Sequence, residues 1–337
     1  MQTLTDPAIL FFVFGVFAGL IKSNLEIPAP IARFLSLYLL MALGLKGGFA
    51  LAQSGLTTQV ATGLGLAMGL AVVVPIVGYL LLSRFIPRFD AAAVAATYGS
   101  VSAVTFITAT AHLDNLGIAY GGHMAAAMAL MESPAIILAV LMANALRRSQ
   151  ANPVRLGSAG AATLALHGGG GGNGFSLPKV LHESFTDGAQ LLLLGAMAVG
   201  LLTGEAGQQA MQPFSGDLFK GMLAFFLLDM GLSAARNLPS LRSQPPLLIA
   251  YGLLAPPVHA GVALLLAAWA GLPLGDTVLL MVLAASASYI AVPAVVRYAI
   301  PEANPSLYVG LSLGLTFPLN ILLGISCYTQ VAVWALG

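Results

Sequence analysis

Charge is what this sequence has least of. Its 337 residues include 13 basic and 12 acidic side chains, a charged share of 7%, where a soluble globular chain carries roughly 25%. So few charges cannot cover a soluble body, which excludes a soluble enzyme and a disordered scaffold. A net charge of +1 leaves no basic surplus for a phosphate backbone, which excludes a nucleic-acid binder. The single cysteine, Cys327, excludes an internal disulfide and a cysteine-based zinc site. The five histidines show no HxxxH or HExxH spacing, so no metal centre or other cofactor is expected. What the chain has in abundance is apolar sequence, a hydrophobic share of 58%. It reads as an integral membrane protein in a lipid bilayer.

A helix crosses the hydrocarbon layer in about 20 apolar residues. Continuous apolar runs favour helices, whereas a barrel would alternate apolar and polar positions. Ten runs fit a polytopic all-α protein: near 7–21, 29–49, 58–84, 90–111, 121–146, 183–203, 216–235, 244–270, 275–298 and 305–335. Ten spans assign every basic residue to a side. Of the 13, only Lys46 and Lys220 fall on one side, and the crowded side is cytoplasmic. Both termini are then outside, and the segment 147–181 is cytoplasmic.

That polar segment divides five spans from five. An odd number inserts the halves in opposite directions, so any likeness between them is an inverted repeat. The likeness is there. Tyr38-Leu-Leu-Met-Ala-Leu-Gly-Leu45 in span 2 matches Phe225-Phe-Leu-Leu-Asp-Met-Gly-Leu232 in span 7. Ser133-Pro134 in span 5 matches Phe317-Pro318 in span 10, and Ser102 precedes Pro134 by the same interval as Ser286 precedes Pro318. The expected organisation is a first repeat at 1–147, a linker at 148–181 and a second, inverted repeat at 182–337. The glycine run from His167 to Gly174 within the linker reads as a tether.

Spans 4 and 9 read as broken. Gly99, Ser100, Val101 and Ser102 interrupt an Ala/Val run, and Ser286, Ala287, Ser288 and Tyr289 precede Pro293 in the matching place. A break inside hydrocarbon is tolerated where it lines a cavity. Two half-helix N-termini facing each other present bare N–H groups and positive partial charge, an anion site without arginine. Packing of small residues is the competing explanation. Glu132 in span 5 is the first candidate for cation coordination or proton coupling, since a carboxylate in hydrocarbon seeks a partner or a cavity. Thr105 and Asn320 are further candidate cation ligands, and Asp229 carries less weight. Lys46 and His123 fall near span ends, where snorkelling accounts for them. The pairs Gly15/Gly19 and Gly65/Gly69 read as packing faces.

The stretch from Leu283 through Ser286-Ala-Ser-Tyr289 to Pro293, then Ile300-Pro-Glu-Ala-Asn-Pro-Ser306, resembles the sodium-dependent bicarbonate transporters of the SbtA type. So do Leu43-Gly-Leu-Lys-Gly-Gly48, Gly99-Ser-Val-Ser102 and Glu132-Ser-Pro-Ala135. The resemblance implies a homotrimer in a bacterial plasma (inner) membrane. It implies a core of spans 3–5 and 8–10 moving against spans 1, 2, 6 and 7, with bicarbonate and Na+ held where two broken helices cross. By position, the Ser100/Ser102 and Ser286/Ser288 segments form that site, and Glu132 matches a family aspartate. Cyanobacterial members carry an aspartate after the second serine motif, where this chain has Tyr289. They also bind a PII-like regulator; the linker here is shorter and different, so that partner is not assumed.

The expected function is therefore secondary active import of a small anion, bicarbonate with Na+ as the coupling ion, by alternating access, and not an enzyme activity. The alternatives are a carrier of another small carboxylate or amino acid, proton-coupled through Glu132, and an intramembrane serine hydrolase.

Overall fold

The computed structural model describes residues 6–55, 57–151, 188–241 and 244–337. Among these, all regular structure is helical. The helices are α1 (Pro7–Leu20), α2 (Ala29–Ser54), α3 (Thr58–Leu82), α4 (Arg88–Gly99), α5 (Ala103–Leu116) and α6 (His123–Ala151). After the linker come α7 (Gly188–Gln212), α8 (Phe219–Leu241), α9 (Pro246–Ala270), α10 (Leu274–Ala285), α11 (Ala291–Ala299) and α12 (Pro305–Leu336). Among the described residues, seven helical stretches are long and apolar enough to cross a membrane. One of them, Gly188–Leu241, has 54 residues, while α1 and α10 are shorter apolar helices.

Local chemistry sets the ends. Asp6 Oδ1 accepts the Ala8 N–H at 2.8 Å, and Pro7 opens α1 in the first turn, where its missing N–H costs nothing. Ser102 caps α5, and Gly117 closes it in the left-handed region at φ 67°. In α12, wide π turns at Ser312–Thr316 and Asn320–Gly324 flank Pro318. That proline has no N–H to continue the regular ladder.

The outside of the fold is oily. Leu202, Trp269 and Trp334 are each at least 85% exposed, the reverse of a water-facing surface. Inside, α1 lies along α8 and α2 along α7. Glycines permit both close approaches. A Cβ on Gly15 would strike the Leu228 carbonyl, and one on Gly231 would strike the Phe12 carbonyl. On the other pair, Gly48 meets the Met197 carbonyl and Gly200 meets the Leu45 carbonyl. The second body packs α3 on α4 and α6, and α9 on α10.

Several details differ from the sequence-based expectation. Helix α6 continues to Ala151, and α7 continues past its kink at Gly204 (φ 54°) to Gln212. The linker from 152 onward, with its glycine run, lies outside the described residues. Gly15 and Gly19 do form a packing face, but Gly65 and Gly69 meet nothing within 4 Å. His123 does not snorkel. It is 4% exposed, with Nε2 3.6 Å from Asp276 Oδ2, because a packed acid rather than water lies beside it.

At the end of α6, Arg147 holds the turn before α12. Its Nε and Nη2 donate to the two Glu302 oxygens, each at 2.8 Å, and Nη2 also donates to the Ala299 carbonyl. The guanidinium holds the Glu302 carboxyl below the usual carboxylate range. Its stabilisation is therefore present above that range and lost as pH falls through the lowered value. Arg147→Ala is expected to remove this part of the acid-side pH dependence of thermal unfolding. Gly231→Val is expected to cost more than the ~1–3 kcal/mol of ordinary overpacking, because backbone is what it meets; a fall in melting temperature checks it.

Candidate functional site

The chain breaks twice, and the two breaks lie against each other. Helix α4 ends at Gly99, where a side chain would collide with the Pro75 ring of α3. Ser100 and Ser102 are extended, and α5 starts at Ala103. Helix α10 ends at Ala285, Ser286 is extended, and α11 starts at Ala291. The segments then satisfy each other. The Ser102 N–H donates to Ser286 Oγ at 3.0 Å, and the Ser288 N–H donates to the Thr97 carbonyl at 2.9 Å. Backbone groups that water would otherwise solvate are paired across the crossing.

The side chains finish that pairing. Ser102 Oγ accepts the Thr105 N–H at 3.2 Å and the Thr105 hydroxyl at 2.9 Å. Ser288 Oγ accepts the Val292 N–H at 3.3 Å, and Ser286 Oγ donates to the Leu283 carbonyl at 2.9 Å. Asn320 donates from Nδ2 to the Ala285 carbonyl at 2.8 Å and accepts the Tyr328 hydroxyl at Oδ1. Asn320 and Thr105 thus brace half-helix ends. Ser100 is different: it is 1% exposed, and its hydroxyl has no hydrogen-bond partner among the described residues.

A cavity of about 260 Å³ opens beside the crossing. The start of α5, Ser102 to Val104, forms one wall, and Ser288 to Ala291 at the start of α11 forms another. The first intrahelical bonds run from Phe106 to Ser102 and from Ala294 to Ile290. The N–H groups of Ala103, Val104 and Ala291 precede them, so both positive helix ends face one space. Glu132 of α6 lines it too, its Oε2 accepting from Gln190 Nε2 of α7 at 2.5 Å. Leu40, Met128, Ile136 and Leu193 make the rest of the wall largely apolar.

Of the residues expected at the site, Val101, Ser102, Glu132, Ser288 and Tyr289 line this cavity. Gly99, Ser100, Thr105, Ser286, Ala287, Asn320 and, on α8, Asp229 are not among its lining residues. The Tyr289 ring packs edge-on to Phe317 at 5.1 Å, and its hydroxyl meets Met230 Sδ at 3.6 Å. Ser36 and Gln190 line the cavity and escaped the sequence reading. Ser36 is an isolated polar residue between leucines and Gln190 stands just before the leucine run 191–194, which is the available signal.

A family model described as the Na+-dependent bicarbonate transporter superfamily matches residues 7–333. The chain belongs to that superfamily. No curated protein matches it. Membership covers nearly the whole described chain, including both breaks and the cavity. It accounts for the apolar helices as those of a membrane transporter, and Na+ and bicarbonate are the solutes the superfamily's description names.

The crossing generates a stability prediction. Ser286→Ala strands the buried Ser102 N–H without its acceptor, a loss of about 1–3 kcal/mol. A lower melting temperature of the purified protein checks it.

Proposed function

We propose that this protein is a ten-span secondary carrier that imports bicarbonate with Na+ by alternating access. The observation that carries this is the cavity walled by the first turns of two half-helices, α5 and α11. Its volume suits a small anion, and its N–H donors need no fixed positive charge.

Glu132 supplies the coupling. Each helix N-terminus acts as roughly +0.5 charge. One ionised carboxylate offsets the two together, so a lone anion gains little by entering. An anion with Na+ enters on favourable terms, and so does an anion with a proton on Glu132. The second route is the proton-coupled alternative, and the same acid supports it. We place Na+ near Ser100, whose buried hydroxyl lacks a partner at the C-terminal, negative end of α4. Tyr289 packs on Phe317 and Met230, so it shapes the wall where relatives place a carboxylate.

Two inverted halves fit the packing. The first helix of one half pairs with the second helix of the other in both cases, α1 with α8 and α7 with α2, as a pseudo-two-fold axis requires. The distribution of basic residues supports a cytoplasmic 148–181 linker, with both termini outside. Trp269 and Trp334, near the last turns of α9 and α12, then mark one lipid–water interface. A homotrimer in a bacterial inner membrane is the expected setting, and the mass of the purified particle tests the trimer.

In proteoliposomes, labelled bicarbonate is expected to accumulate with an inward Na+ gradient and not without one. Glu132→Gln is expected to abolish the Na+ dependence. Uptake driven by a proton gradient alone would favour the proton-coupled reading. Na+ is also expected to raise the melting temperature through binding to the folded state, and Ser100→Ala is expected to shrink that rise.

A further inference from the structure

The cavity lies at the first turn of α5, and a group of polar contacts lies at the far end of the same helix. That helix runs 14 residues from the cavity wall, a distance of about 20 Å. On the way, Leu43 of α2, Ile107 of α5, Met124 of α6 and Phe219 of α8 belong to one buried apolar cluster. Beyond it, the last turn of α5 is tied to three other helices. Lys46 Nζ of α2 lies 3.3 Å from Asp114 Oδ2 and 4.4 Å from the centre of the Phe219 ring. Lys220 Nζ of α8 donates to Asn115 Oδ1 at 2.5 Å. Asn115 Nδ2 donates to Asp6 Oδ2 at 2.7 Å, and Asp6 is the cap of α1.

Lys46 and Lys220 are the two basic residues on the side that otherwise has none. Each binds one of two consecutive residues, Asp114 and Asn115, at the end of the half-helix whose other end walls the cavity. We propose that Lys46 and Lys220 are gating residues. Their bonds to Asp114 and Asn115 close the outer route in the state seen here and part in each transport cycle. The inference rests on the carrier function proposed above. The exposure of the bonds fits the role. Lys46 and Asp114 are 30% and 37% exposed, and exposed pairs are weak, so they bias an equilibrium between two states without trapping one.

The test uses the full chain with Cys327→Ala and a reporter, Ile107→Cys, in the apolar plug. A membrane-impermeant maleimide is added to the face that carries Lys46. Lys46→Ala/Lys220→Ala is expected to raise the labelling rate about two- to fivefold, the range that weak exposed contacts allow. The charge swap Lys46→Asp/Asp114→Lys is expected to bring the rate back towards that of the parent. An unchanged rate in the double variant overturns the proposal. So does an equal rise in the swap, which would signify general loosening; melting temperatures report that independently. Labelling that follows the expected pattern in a protein that carries no bicarbonate would count against the substrate alone.

Discussion

Backbone groups in hydrocarbon have no water to bond, and the site is built around that constraint. Two apolar helical stretches break, and each break supplies a partner to the other. The Ser102 amide reaches Ser286 Oγ, and the Ser288 amide reaches the Thr97 carbonyl. Asn320 covers the Ala285 carbonyl at the end of α10. The amides of Ala103, Val104 and Ala291, in the first turns of α5 and α11, precede the first intrahelical bonds. They face a cavity, where an anion can take the place of the missing bonds.

The helix–helix geometry exists to hold that crossing. Glycine contacts weld α1 to α8 and α2 to α7, while α3 and α6 pack on α4 and α9 packs on α10, the first halves of the broken helices. Glu132 and Gln190 meet within the cavity from opposite bodies, α6 and α7. In the proposed mechanism, the balance of charge around Glu132 is the physical basis for taking up two solutes together rather than one.

Much of this was legible in the residues. Ser-x-Ser segments at matching places gave away both breaks, because small polar residues recur there in otherwise apolar runs and Pro293 marks a new helix start. The equal spacing to Pro134 and Pro318 is the signal in the residues for the proposed inverted repeat. What stayed hidden depends on tertiary contact. Ser36 and Gln190 reach the cavity only through the crossing of α2 and α7, which no periodicity reveals. The serine hydroxyls looked like ligands, yet in the fold Ser102, Ser286 and Ser288 bond to backbone and to Thr105. Among the described residues, Ser100 is the one of these four serines whose hydroxyl has no partner. His123 looked like an interfacial residue because its position near a helix start cannot show that Asp276 packs beside it.

The most direct measurement is an experimental structure of the protein with bicarbonate and NaCl. The account predicts anion density within about 2.7–3.2 Å of the Ala103, Val104 or Ala291 amides, with residues 100–102 and 286–290 unwound. An anion bound elsewhere, with these amides facing only protein or lipid, would contradict it.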